Sequence, residues 1–411
     1  VLVGAEQKLS AVPQPVRSEA EPLDYAILPQ LADAVDNLVF ARAYASSYDG
    51  NASVADMGWA DSQTITAGQS GTVSVNYGGT QTVSSGGTGT VSTMSGGWQT
   101  IEYGGTGTVS TMNSGGQGIT GGGTGTVDNM NGGSQTISNG TGTINTMSGG
   151  TQDIMNGGTG TVSTMCGGSQ DISSGGTGTI GTMMDGFGYQ YVYENGTGTI
   201  NTINNGEQRI TSGGNGSVGT VNGGQQIIDG GTGTVSTMSG GSQRISSGGT
   251  GTVVTMTSGE QNIYSDGTGT VSTMNDGGQY ITSGTGTIST MSGGYQEISS
   301  GTGTVSTMSG GEQNIYSGGT GTISTMSGGL QGIISGGAGT VSTMNGGLQL
   351  VENGGSGIVS TLSGGTQMIV DQGSGTIGTM SGGLQEISSG GMGTVSTLNG
   401  GSQIISSGGT G

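Results

Sequence analysis

Apolar residues are sparse along this chain, yet from about Ser62 onward they return at fixed places. In Thr88–Gly105, TGTVSTMSGGWQTIEYGG, the core-forming candidates are Val91, Met94 and Ile101, and most of the rest is Gly, Ser, Thr or Gln. A Gln two places before an aliphatic residue marks the period: Gln63, Gln81, Gln99, Gln117, Gln135, Gln152 and on to Gln403, at steps of 18, sometimes 17 and once 20. One unit divides into two short strand-like pieces, T-G-T-V-S-T-M and x-Q-x-I-S, joined by Gly-Gly turns. Paired glycines supply the positive φ angles that tight corners need. The 17-residue steps drop a residue from a turn, as in SNGTGT after Ile137, which leaves the strands as the constant part.

The facing of each position follows from what it tolerates. Between Gln and the aliphatic residue stand Thr100, Asp153, Asp171, Arg209, Arg244, Glu297 and Glu386 in different units, so that position points outward. Strand alternation then turns the Gln and the Ile inward together. An inward Gln is costly alone, but amides stacked unit on unit bond one another as a ladder, of which Gln99, Gln135, Gln170, Gln243, Gln313 and Gln403 are rungs. In the other strand Val91 faces in, Thr88 and Thr90 face out, and Gly89 lies beneath them. The place of Met94 is read as always apolar (Ile203, Val221, Leu362, Leu398) and therefore inward. Two inward residues three apart require a bend near Thr93, where a flexible methionine suits the irregular space.

No unit is stable by itself. Its three core side chains contribute about 1.5–3 kcal/mol each on burial, against about 1–2 kcal/mol for ordering each residue's backbone. Stacking closes the gap, because each coil bonds to the next and like residues pile on like. The expected fold is all-β: a right-handed β-solenoid (β-helix) of about 20 coils with 17–18 residues each. At about 4.8 Å per coil the rod is roughly 90–100 Å long.

Residues 1–50 read differently. They hold all four prolines (Pro13, Pro15, Pro22, Pro29) and three of the five basic residues. Leu31, Val35, Leu38 and Arg42 recur at helical spacing, which predicts a short amphipathic helix over about 31–46. This segment is expected to be a leader or linker, and residues 51–411 the solenoid, truncated at its C-terminal end. A start at Val1 and a stop within SSGGTG suggest a piece of something longer. No signal peptide is visible, and no run of about 18 apolar residues predicts a membrane-spanning helix.

Composition sharpens the functional limits. Glycine contributes 98 of 411 residues, charged residues 7% and aromatics 4%. Such a balance often means disorder, and here the strict repeat reverses that expectation. The net charge of −20 opposes nucleic-acid binding, which needs phosphate neutralisation. Histidine is absent and Cys166 is the single cysteine, so one chain cannot form a nucleophile–histidine dyad or a Cys/His zinc site. No catalytic residue, metal or cofactor is expected, and the chain is read as not an enzyme. The acidity is spread over many coils, as solubility of a long particle requires.

The pattern G-G-x-Q-x-I/V-x-S/N-G-G, followed by x-x-x-x-T-x-M/V-x-x-G-G, closely resembles the stalk repeats of AIDA-type autotransporter adhesins, from about Ser62 to the end. The resemblance implies a secreted passenger β-helix of a Gram-negative outer-membrane surface protein, working in cell adhesion, autoaggregation or biofilm. It implies contact with a host or neighbouring-cell surface, or self-association, and O-glycosylation of Ser and Thr as in a glycoprotein. The chain departs from that family in showing neither a translocator barrel nor a signal peptide.

Three places invite a functional reading. Outward Thr-Gly-Thr ranks are what ice-binding β-solenoids use, although Thr also simply favours strands. Met183–Gly196 carries two extra residues and gathers Phe187, Tyr189, Tyr191 and Tyr193, a surface-contact patch or an insertion covering its own coil. Trp98, Leu330, Leu348 and Leu384 take the outward place before Gln, and Leu330 and Leu348 lie one coil apart as a small apolar stripe. Cys166 reads as a tolerated corner residue whose thiol could cross-link two chains. Calcium is disfavoured, since the turns carry Ser, Thr and Asn instead of ranked Asp. An inert spacer displaying a further domain is the remaining alternative.

Overall fold

In the computed structural model the described residues are 46–184 and 186–411. The helix expected over about 31–46 falls, but for its final residue, outside them. Among the described residues every named element is a strand, from Ser47–Tyr48 to Met392–Ile405. All the strand pairings are parallel and in register, each strand bonding to its equivalent one coil on. The result is a parallel β-solenoid of about 20 coils. No helix among the described residues is long and apolar enough to cross a membrane.

Each coil has the two expected strands, shown by Thr88–Ile101, where they run together through the corner at Ser95–Gly97. Val91, Met94, Gln99 and Ile101 are fully buried, and so are their counterparts in coil after coil. The Val and Met positions form one continuous column and the Ile positions a second, separate one. The pairing skips Ser92: Val91 pairs with Val109 and Thr93 with Thr111. A break there lets residues three apart both point inward.

One reading of that strand is corrected. The Met position is not always apolar, because Asn76 occupies it, in register with Met57 before and Met94 after. The amide is fully buried and tolerated because the corner satisfies it. Its Oδ1 accepts from the backbone N–H of Gly78 and Gly79 at 3.1 and 2.9 Å, and its Nδ2 donates to the Gly79 carbonyl at 3.1 Å.

The other corner is a tight turn. At Glu102–Gly105 the Gly105 N–H donates to the Glu102 carbonyl at 2.9 Å. Tyr103 and Gly104 between them have φ of 48° and 78°, the left-handed pair that defines a type I′ turn. Asn fits the first of these places, as at Asn156 and Asn353, since its short side chain tolerates that region.

The glycine of Thr-Gly-Thr has a different task. A Cβ on Gly107 would stand 2.4 Å from Ile101 Cδ1 and 2.6 Å from Gln99 Oε1. The strand carrying it must lie directly on the Gln and Ile of the opposite strand, and only glycine leaves room.

The solenoid starts earlier than the boundary at residue 51 suggests. Ser47–Tyr48 pairs with Ser62–Ile65, placing Tyr48 where later coils have Gln. That substitution hid the first coil from a ruler based on Gln.

Candidate functional site

The buried glutamines form one continuous column. Gln81 Nε2 donates to Gln63 Oε1 at 2.8 Å, Gln99 to Gln81 at 2.7 Å, and Gln117 to Gln99 at 2.6 Å, and the series runs unbroken to Gln403 donating to Gln385 at 2.6 Å. Many of these amides also reach the facing strand, as Gln99 does to the Gly89 carbonyl at 3.2 Å. At the first coil Gln63 Nε2 donates to the Asp49 and Ala52 carbonyls at 3.1 and 2.9 Å. The column is structural, with no amide left over for a ligand. What the rod can offer to other molecules lies on its outer faces.

One face is built from the Thr-Gly-Thr strands. Thr88, Thr106 and Thr124 stand in register on the outside, as do Thr90, Thr108 and Thr126. These ranks run along the rod with interruptions such as Asn215, Ala338, Ile358 and Met392.

The opposite face carries most of the variation. In the coil with the two extra residues, Phe187 is 78% exposed at the corner. Gly188–Val192 follows, with Gln190 and Val192 buried and Tyr189 and Tyr191 turned outward by alternation. Tyr193 continues the row, 41% exposed. The rings of Tyr189 and Tyr191 are 5.8 Å apart and those of Tyr191 and Tyr193 6.3 Å apart, all nearly parallel.

Register places charged groups on both sides of that row. Tyr191 lies between Asp171 and Arg209, and Asp171 lies next to Asp153 in the preceding coil. Burial under its neighbours, followed by the charge of Asp153, pushes the Asp171 carboxyl up to about 6, against a hydrogen bond from Ser169 that lowers it. Its Oδ1 is buried with no hydrogen-bond partner among the described residues. Burial alone raises Asp153. Arg209 pairs with Asp229 at 3.7 Å. Tyr191 and Tyr193 are both raised, first by burial and then by neighbouring carboxylates, Glu207 for Tyr191 and Asp171 for Tyr193.

Beside Tyr189 opens a shallow cleft of about 270 Å³, lined by Asn205, Glu207, Gln225 and Ser242 together with Gly186, Gly206 and Gly224. Tyr189, Glu207, Gln225 and Ser242 occupy the same pre-Gln position in four successive coils. Gln225 Nε2 donates to Glu207 Oε2 at 2.9 Å, which fixes both side chains. Sequence reasoning found the tyrosines and missed the polar members. The available signal was the 20-residue step at Gln190, followed by Glu, Gln and Ser at the pre-Gln position.

The other outward residues are elsewhere on the rod. Trp98 is 47% exposed, and a Cβ on Gly116 in the next coil would meet its indole. Leu330 and Leu348 are neighbours in register and half-buried. Neither group joins the tyrosine row. Cys166 is a free, half-buried thiol at a corner.

No protein-family model and no curated protein matches this chain. Among solved structures it is similar to the "Crystal structure of TibC-catalyzed hyper-glycosylated TibA55-350 fragment", at 24% sequence identity and a TM-score of 0.35, with 89% of this chain and 99% of that chain covered.

Proposed function

We propose that the chain is a stalk or passenger segment of a secreted bacterial surface adhesin, acting in adhesion, autoaggregation or biofilm, and that its role is structural and adhesive, not catalytic. The observation that carries this reading is the repeat itself: one phrase, in register over about 20 coils, with every inward position committed to the Val–Met column, the Ile column or the amide ladder. A chain so organised spends its interior on length and leaves its outer faces to make contacts. The resemblance of the Gly-Gly corners, the Gln-x-aliphatic pair and the Thr-x-Met pair to AIDA-type stalk repeats supports placement at a cell surface, with Ser and Thr as acceptors for O-linked sugar. Beads coated with the purified chain should aggregate with one another or adhere to cells more than beads coated with an unrelated acidic protein. Equal behaviour would leave only the spacer role.

A second reading has an observation of its own. The Thr ranks stand in register on an outer face, and regularly spaced hydroxyls and methyls on a flat sheet can order water as an ice surface does. Inhibition of ice recrystallisation by the purified chain, lost on replacing Thr106, Thr108, Thr124 and Thr126 with Lys, is the outcome that reading requires.

A further inference from the structure

We propose that the cleft beside Tyr189 is a binding site for a terminal neutral pyranose sugar, with the tyrosine ring as the stacking wall and Asn205, Glu207, Gln225 and Ser242 as the hydroxyl-reading groups. The proposal stands on the cleft and does not need the adhesin reading, although it would give an adhesin something to hold.

The shape follows from the irregular coil. Most coils turn their first corner in three residues, such as Ser-Gly-Gly or Asn-Gly-Gly, but here the longer corner precedes Gly188 and brings Gly186 to the edge of the cleft. The volume of about 270 Å³ falls just below the range of about 300–1,000 Å³ for pockets that hold drug-sized ligands. It suits a single ring more than a chain of rings.

The lining decides the class. A pyranose presents a C–H face and a rim of hydroxyls. An aromatic ring meets the first by apolar and C–H/π contact. The second needs groups that accept and donate side by side. A carboxylate beside carboxamides does this, since the carboxylate accepts and each amide carries both an acceptor and two donors. Glu207 and Gln225 are already held together at 2.9 Å, so the ligand need not order them. Two other classes fit less well. Of the two cations among the described residues, Arg209 is engaged by Asp229 at 3.7 Å and Arg244 lies over the Tyr264 ring at 5.0 Å, which leaves little attraction for a phosphate or sulfate. The polar lining does not suit a lipid chain. Along the rest of the row, Tyr191 and Tyr193 extend the aromatic surface beyond the cleft, in position for a second ring of the same glycan.

The test uses the whole chain and defined probes. In the first arm, methyl glycosides of glucose, galactose and mannose are titrated at millimolar concentration, with saturation-transfer NMR on the sugar and near-ultraviolet circular dichroism of tyrosine as readouts. In the second arm, the same sugars are displayed densely on beads and retention of the chain is measured. At least one sugar should bind saturably. Binding to the free glycoside identifies a soluble saccharide, and retention on beads alone identifies a surface glycan. Tyr189→Ala should weaken binding at least tenfold and Glu207→Gln several-fold, while Tyr103→Ala, at an exposed corner distant in the sequence, should change nothing. All these positions face outward, and far-ultraviolet circular dichroism reports whether the variants stay folded. Absence of saturable binding in both arms, or binding that survives Tyr189→Ala and Glu207→Gln undiminished, overturns the proposal. It does so without touching the adhesin reading, which the bead-aggregation assay tests separately.

Discussion

Replacing Gln313 with Leu tests whether the amide column acts as a column. Gln313 Nε2 donates to Gln296 Oε1 at 2.6 Å, and its Oε1 accepts from Gln331 Nε2 at 2.7 Å. The substitution keeps the side chain's approximate volume and removes both bonds. It leaves a buried acceptor on Gln296 and a buried donor on Gln331. An unsatisfied buried polar group costs about 1–3 kcal/mol, so the pair amounts to about 2–6 kcal/mol, part of which the added apolar contact of Leu offsets. Changing Gln296, Gln313 and Gln331 together again orphans two groups: Gln279 Oε1, which loses Gln296, and Gln349 Nε2, which loses Gln331. Gln349 retains a bond to the Ile358 carbonyl at 3.3 Å. The triple variant should therefore cost no more than about twice the single one, far from three times, because the penalty belongs to the ends of the gap. Native-state hydrogen exchange is the suitable assay, since a repeat rod need not unfold in one step and local opening energies can be read coil by coil. Losses that add strictly, or a silent single variant, would refute a coupled column.

Three further outcomes follow from the same geometry. Ile101 is fully buried, so Ile101→Asp should cost on the order of 3–5 kcal/mol and open the coils on either side to protease, whereas outward Thr100→Asp should stay within about 0.5 kcal/mol. Gly107→Ala would place a Cβ 2.4 Å from Ile101 Cδ1 and should lower stability by about 1–3 kcal/mol, whereas Gly118→Ala, with no heavy atom within 4 Å of its added Cβ, should be nearly neutral in the same thermal melt. Asp171, held at about 6 in the folded chain against an ordinary value of 3.8, binds its proton more tightly folded than unfolded. Its stabilising share is thus fully present below pH about 4 and lost as pH rises through about 6. Because the group is only half-buried, that share should be about 1 kcal/mol. Asp171→Asn should raise the melting temperature at pH 7 and flatten its dependence on pH between 4 and 7.

Much of this molecule was legible because the repeat samples each position about twenty times. Variation at Thr100, Asp153 and Arg209 reveals an outward side chain, and constancy at Gln reveals an inward one. Legibility ends where a position departs from its rank. Asn76 in the Met column is paired with backbone groups of a corner whose shape no periodicity discloses. Tyr48 stands for Gln in the first coil, so the coil was missed. The polar members of the cleft were overlooked for a related reason. Glu207, Gln225 and Ser242 are ordinary residues at a variable position, and only the parallel register brings them beside Tyr189. Such alignment is a property of the stack, and no single coil contains it.

The amide ladder also gives the rod a direction. In each bond the later coil donates and the earlier one accepts, so the two sides of any coil are unlike: donors toward the start, acceptors toward the end. A coil inserted in the same orientation meets its complement on both sides, and one removed lets its neighbours join without an unmatched group. The corners already admit coils of 17, 18 and 20 residues. A gene encoding such a chain can therefore gain or lose whole units by unequal crossing-over between its own repeats and still yield a sound rod of another length. The length of the rod becomes a quantity that recombination can adjust in steps of one coil.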